Sequence, residues 1–421
     1  MFKIFANAWK VVDLRKKILY TLLILFIYRV GCYVPIPGVN VTYIASKVSE
    51  YSALGFLNMF SGNALSNMTV FALGITPYIN SSIIMQLLTI AIPALERMSK
   101  EGDDGRKKIA AITRYAAVGL GLIQAIGIIL GLGADAVVST DFFNYLTIIL
   151  CLTAGTALIM WLGERINEKG VGNGISLLIF VSIVCKLPSS AITLINNAAA
   201  NTGGVTMWTV IVVILVALVI VAAVTFIDMG ERRVPVQYAK RVVGRKQYGG
   251  QSTYIPMKVN QSGVMPLIFA ITFVQFPQMI AQFWPQSDFY LWWSQYMGTG
   301  SWIYWVIYAL LILFFTYFYS QIAFNPIDVS KNMQQYGGFI PGIRPGKPTS
   351  DYLQKILSKI TVFGAIFLAV IAVIPSLFSN LSGGAFNAFG ATSLLIMVSV
   401  SLETTKAIES QMMMRHYKGF L

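Results

Sequence analysis

The hydrophobic positions of this chain fall into ten apolar runs, at roughly 18–36, 72–93, 110–133, 143–163, 174–192, 207–228, 262–284, 303–324, 359–378 and 388–408. Runs of about twenty residues predict helices that cross a bilayer rather than tilted barrel strands. One run is unlike the rest. Residues 71–93 have membrane length yet carry Pro77, Asn80, Ser81, Ser82 and Gln86, groups that lipid cannot satisfy. That face predicts a helix lining protein or a watery path. Just before it, Phe56 to Met68 is apolar, too short to span, and broken by Ser61-Gly62-Asn63. A half-length helix leading into a polar-faced spanning helix predicts a plugged channel or a transporter. A helix buried in a bundle, with serines at its contacts, explains the same face.

Composition fits a polytopic membrane protein: over 421 residues, 56% are hydrophobic and only 11% charged. Cys32, Cys151 and Cys185 all lie inside or beside apolar runs, so neither a disulfide framework nor a metal site is expected. The first residues contain no small-residue cleavage site, which predicts that they are not a removable signal.

The formal charge of +14 orients the chain. Every Lys and Arg except Arg29, Lys47 and Lys186 falls on alternate loops or on the two terminal segments. Positively charged loops stay in the cytoplasm, so both termini are expected there, with an even number of spans. Two of these loops, 229–261 and 325–358, are long as well as basic. The first alternates through Arg233-Val234-Pro235-Val236-Gln237-Tyr238, which suits a hairpin strand. The second carries Pro341-Gly342-Ile343-Arg344-Pro345-Gly346, a stiff turn that would hold Arg344 outward. Such loops fit docking of an acidic or nucleic-acid partner. The need to hold orientation accounts for their charge equally well, though less well for their length.

Enzyme chemistry finds no foothold. The one histidine, His416, excludes His-based triads and His-ligated metal sites within the membrane. No pair of intramembrane aspartates could serve as a protease dyad. Gly342-Ile343-Arg344-Pro345-Gly346-Lys347-Pro348 has the wrong glycine spacing for a phosphate loop, and a Pro where Ser or Thr should hold the metal. Transport would then draw its energy from a partner, and no cofactor is expected. An ion-coupled secondary transporter is the alternative. It would want buried carboxylates, whereas Asp228, Glu164 and Glu403 sit at run ends.

Nearly the whole chain resembles the SecY family, the channel subunits of the bacterial protein-conducting translocon. The resemblance is carried by Asn58-Met59-Phe60-Ser61-Gly62 through Ala72-Leu73-Gly74-Ile75-Thr76-Pro77-Tyr78-Ile79, then by Lys100-Glu101-Gly102, Gly105-Arg106-Lys107-Lys108 and Thr113-Arg114-Tyr115. It continues in Trp161-Leu162-Gly163-Glu164, Gly172-Asn173-Gly174-Ile175-Ser176, Tyr238-Ala239-Lys240-Arg241, Gln251-Ser252-Thr253, Leu267-Ile268-Phe269 and Pro341 through Gly346.

The resemblance implies an all-α polytopic membrane protein. Ten transmembrane helices would form two pseudo-symmetric inverted halves of five, a clamshell around an hourglass pore with a short plug half-helix. The implied division is a cytoplasmic amphipathic segment at 1–17, an N-terminal half at 18–192 with the plug at about 56–68, an external hinge loop at 193–206, a C-terminal half at 207–408, and a cytoplasmic tail at 409–421. The family's apolar pore ring falls on Ile75, Ile79, Ile175, Ile179, Ile268 and Ile396, and its plug on Phe56, Leu57, Met59, Phe60, Ser61, Gly62, Leu65 and Met68. Asn80 and Gln124 match positions of its lateral gate. Thr272 and Gln275 add polar groups near that seam, and the clamshell would set Phe276 opposite Asn80. Ordinary polar contacts within a bundle explain these gate residues as well. Arg241, Arg245, Lys246, Arg344 and Lys347 are the expected docking residues for a motor or a ribosome.

The implied activity is to pass unfolded secretory preproteins across the bacterial plasma membrane and to release membrane segments sideways into lipid. The implied partners are the SecE and SecG membrane subunits, the SecA ATPase, the ribosome, signal peptides with their preproteins, and membrane lipids.

Overall fold

A helix lies on each of the ten apolar runs, but the helices differ in how much of a bilayer they could cross. The computed structural model describes residues 8–50, 54–55, 58, 60–200, 206–238, 241–243, 246–248, 252–261, 263–281, 287–298, 301–381 and 391–416. Along the chain come α1 (Val12–Gly31), α2 (Val41–Glu50), α3 (Thr76–Ala91), α4 (Pro93–Lys100), α5 (Asp103–Leu132), α6 (Phe142–Lys169), α7 (Gly174–Val184), α8 (Leu187–Ala199) and α9 (Met207–Met229). Strands β1 (Glu231–Tyr238), β2 (Arg241–Val243), β3 (Lys246–Tyr248) and β4 (Ser252–Lys258) follow. Then come α10 (Met265–Ala281), α11 (Asp288–Tyr296), α12 (Trp302–Ala323), α13 (Pro326–Gln335), β5 (Gly338–Phe339), α14 (Lys347–Leu381) and α15 (Ala391–His416).

Among the described residues, six helical stretches are long and apolar enough to span. These are Asp103–Leu132, Phe142–Lys169, Gly174–Ala199, Met207–Met229, Trp302–Gln335 and Lys347–Val373. The remaining four runs do not give a single straight helix of that length among the described residues, although Thr76–Ala91 with Pro93–Lys100 would qualify as one bent span. Asp13, Arg15, Lys16 and Lys17 at one end of α1 and Arg29 at the other leave little uncharged helix between them. Over the described residues α10 is 17 residues long. The half of α15 toward the C-terminus is polar, with Glu403, Thr404, Thr405 and Lys406. The last is the 72–93 run, where the continuous helix expected from the sequence is corrected. The chain runs through turns over most of 61–75, helix α3 begins only at Thr76, and α3 meets α4 at 99°. Pro93 forces this break, because a residue before proline is pushed out of the helical region; Ile92 has φ −105° and ψ 113°.

The chain packs as two units, Met1–Val210 with Ile271–Trp305 and Val400–Leu421, and Ile211–Ala270 with Val306–Ser399. In the first, a core of Ile36, Ile44, Leu65, Met68, Leu73, Ile128, Ile129, Ile148 and Leu152 joins α2, the 61–75 turns, α5 and α6. Ser81 on α3 donates to the Thr113 carbonyl of α5 at 2.7 Å. Arg114 of α5 pairs with Glu164 of α6 at 2.6 Å.

In the second unit the two basic loops fold together. Strand β1 pairs antiparallel with β4, with Val234 opposite Ile255 and Val236 opposite Thr253, as the alternating pattern predicts. Its other edge takes β5, from the second loop, through Gln237–Phe339 and Tyr238–Gly338. Val234 and Val236 point inward onto Met257, Met333, Ile340, Leu353 and Leu357. The outward Arg233 contacts Glu231 at 2.6 Å and lies over the Tyr254 ring. At the end of α9, Asp228 accepts hydrogen bonds from Asn260 and Ser399.

Candidate functional site

The resemblance's site residues occupy positions that the local chemistry builds carefully. Ile75 is the N-cap of α3, and Ile79 follows one turn later, its amide bonded to the Ile75 carbonyl at 3.1 Å. Both are buried. Ile175 and Ile179 repeat that spacing on α7, so each pair lies on one helical face. Ile268 lies on α10 and Ile396 on α15, in the second unit, and both are buried.

The start of α7 explains the Gly-Asn-Gly motif physically. Asn173 caps the helix, its side-chain oxygen accepting from the amides of Ile175 at 3.1 Å and Ser176 at 3.4 Å. The Gly174 amide donates to Asn167 Oδ1 at 2.7 Å. A Cβ on Gly174 would overlap the Gly163 carbonyl oxygen of α6. Cap and close approach together fix where α7 starts, and hence where Ile175 and Ile179 point.

The plug segment is only partly described: Phe56, Leu57 and Met59 lie outside the described residues. Residues 54–55, 58 and 60 are helical, and 61–68 runs as turns. Phe60, Ser61, Leu65 and Met68 are buried. Two bonds, Ile36 amide to Met68 carbonyl at 3.0 Å and Val70 amide to Val34 carbonyl at 3.1 Å, stitch the segment's far end to the chain after α1.

Among the gate residues, Asn80 is buried, and neither atom of its amide has a partner among the described residues; the Gln124 carbonyl oxygen is likewise buried and unpartnered among them. Thr272 and Gln275 are buried on α10, and Gln275 hydrogen-bonds Tyr304. Phe276, next along, is more exposed than either.

Of the docking residues, Arg344 and Lys347 are exposed. Their turn is pinned by Ser330 donating to the Gly346 carbonyl at 2.7 Å and Thr349 to the Arg344 carbonyl at 2.8 Å. Arg241 and Lys246 sit on the β2–β3 hairpin, where Val243 pairs with Lys246, and Arg245 lies outside the described residues. Among the described residues no cluster of His, Cys, Asp or Glu could hold a metal.

Sequence reasoning missed one residue. Arg29 Nη1 donates to the Gly62 carbonyl at 3.0 Å, inside the plug segment. Its signal was available as a cation within an apolar run and apart from the basic loops.

Six helical stretches long and apolar enough to span, with a buried irregular segment leading into a polar-faced helix that bends at Ile92, define a polytopic helical membrane protein. A solved structure described as a protein conducting channel matches this fold with a TM-score of 0.66 at 17% identity, over 94% of this chain and 92% of that one. Sec61 from a canine ribosome-channel complex of the endoplasmic reticulum matches with a TM-score of 0.64 at 17% identity, over 94% and 92%. The profile of the SecY family matches residues 69–405. The protein translocase subunit SecY of Mycobacterium tuberculosis is 45% identical over 447 residues, covering 100% of both chains. The chain belongs to the SecY family. Membership leaves the ion-coupled transporter without support.

The geometry of α7 makes a direct prediction. Gly174→Ala should displace α7 from α6 and destabilise the protein by about 1–3 kcal/mol, the usual cost of overpacking. Thermal denaturation in detergent checks it, and an unchanged midpoint would show that the close approach is slack.

Proposed function

We propose that this chain forms the pore of a protein translocon, passing unfolded preproteins across the plasma membrane and releasing membrane segments sideways into lipid. Full-length similarity to a translocase subunit is the observation that carries this reading. The six isoleucines form its ring. Branched apolar side chains make a dewetted collar that replaces no ion's hydration and offers a passing chain nothing to bind. The segment 56–68 is its plug. Halves at 18–192 and 207–408 form the clamshell, with 193–206 as its hinge.

Both termini face the cytoplasm, because the basic loops are retained there. The module built from β1, β4, β5 and α13 is then the cytoplasmic docking face for SecA or a ribosome. Its rigidity supports this role, since Arg344 projects from a turn held at two points rather than from a loose loop. Sec61 in the canine structure belongs to a ribosome-channel complex, which favours a ribosome as a partner here. SecE and SecG are the small membrane partners, and signal peptides open the seam at Asn80, Gln124, Thr272, Gln275 and Phe276.

Proteoliposomes carrying the chain with its partners should transport a preprotein only when a motor and nucleotide are supplied. In that assay Arg344→Glu should cut transport at least about tenfold while leaving insertion intact, because the residue is exposed and its turn is held by backbone contacts. Normal transport by this variant would remove the docking face from the proposal.

The gate has its own test. The family's clamshell sets Asn80 and Phe276 across the seam, and a disulfide requires Cα atoms within about 7 Å. An Asn80→Cys/Phe276→Cys pair should oxidise readily and block signal-bearing preproteins until it is reduced. A crosslink that leaves transport unaffected would show that the seam lies elsewhere.

A further inference from the structure

The last two turns of α1 are shaped around the plug segment. Arg29 Nη1 donates to the Gly62 carbonyl at 3.0 Å, and Nη2 to the Tyr33 hydroxyl at 3.2 Å. The guanidinium also lies 5.3 Å from the Tyr33 ring centroid, so ring and hydroxyl hold it in place. One turn on, the Cys32 thiol donates to the Ser61 carbonyl at 3.8 Å. Tyr28 stacks on Phe71 at 5.7 Å, and its hydroxyl is bonded to Ser182 of α7 at 2.7 Å. Gly62 has φ +66°, and a Cβ there would fall 2.8 Å from Arg29 Nη1 and 3.3 Å from Ser182 Cα. The carbonyl of Gly62 can therefore reach the guanidinium because no side chain stands between them.

Two features single out Arg29. It is one of three cations away from the basic loops, and a charge in an apolar membrane segment is retained for function by default. Among the described residues its polar partners are the Gly62 carbonyl and the Tyr33 hydroxyl. A carbonyl can be let go without stranding a buried counter-charge, so the bond is one that a moving segment can break and remake.

We propose that Arg29 is a positioning residue for gating: a latch that holds the plug segment seated through the Gly62 backbone, and whose release accompanies opening. The inference rests on the plug reading above. Because the bond is to backbone, the latch is indifferent to the side chains of the plug and acts at the joint where the segment turns toward α3. It differs from the apolar contacts of Leu65 and Met68, which bury the segment without fixing its register.

The test is ion conductance of the full-length chain, reconstituted with its membrane partners in planar bilayers without substrate. A charge-assisted hydrogen bond of ordinary strength shifts a two-state population about tenfold or more. Arg29→Met should therefore open at least about tenfold more often than the unaltered channel. Arg29→Lys, which keeps the charge but not the planar fork, should fall between them, a graded rescue that a merely structural role does not predict. Gly62→Ala, which leaves α1 untouched, should leak as well and stands in if the Arg29 variant does not assemble. Deleting residues 57–67 is the control: it should leak by itself, and adding Arg29→Met to it should add nothing. A tight Arg29→Met channel beside a leaky deletion overturns the latch and leaves the plug standing. A tight deletion overturns the plug reading and the latch with it. Additive leaks place Arg29's effect elsewhere and also overturn the latch.

Discussion

The structure depends on one constraint: backbone that leaves the helix inside a membrane protein must find its partners in protein, because lipid offers none. Residues 61–75 are such backbone, running as turns over nearly their whole length. Their start and middle are answered by α1 and the chain just after it. Arg29 and Cys32 donate to the carbonyls at Gly62 and Ser61, and residues 34–36 exchange bonds with Met68 and Val70. The stretch is at once irregular and largely buried, unlike the half-helix expected of the plug from the sequence. A regular helix here would satisfy its own backbone and leave these partners of α1 without a role.

That constraint also accounts for the cost carried by Arg29. A cation at the centre of a membrane helix costs about 2.5–3.5 kcal/mol on insertion scales, and less toward an interface. The site lies in the last turn of α1 beside the exposed Tyr33, so part of the charge is relieved by its surroundings. A hydrogen bond from a charged donor returns about 1.5–3 kcal/mol. The two are of the same size, so the residue is nearly neutral for stability while remaining decisive for where the segment sits.

Legibility in the sequence followed the range of the interaction. Ten runs, their alternation of charge and the β1 pattern are local, and each was readable from spacing alone. The break at Ile92 was local too, signalled by Pro93, but was overridden by the length of the apolar run. What could not be read were the approaches that need two distant segments: the Gly174 contact with the Gly163 carbonyl, the Gly62 carbonyl reaching Arg29, and β5 joining the edge of β1. The last of these changes the picture most. Two loops that look like separate basic linkers are one folded module with its own apolar core, so the charge they carry has a fixed shape. Family motifs mark these places well, because glycine at a tight contact and a capping asparagine tolerate few substitutes, yet the motif by itself does not say what the glycine touches.

The proposed gate shows why such a channel stays poised. Asn80 buries an amide with no partner among the described residues, and leaving a buried donor or acceptor unmade costs about 1–3 kcal/mol. Gln124 adds an unpartnered oxygen. Interhelical polar contacts in a bilayer return on average about 0.6 kcal/mol each. If the proposed seam is shut, orphaned polar groups in it would hold it above the minimum that apolar side chains would give. A segment entering the seam with polar backbone to offer lowers that cost, whereas lipid tails cannot. In the gate proposed above, a seam that carries such groups would discriminate by what it lacks, yielding to a peptide that can bond them and staying shut to hydrocarbon that cannot.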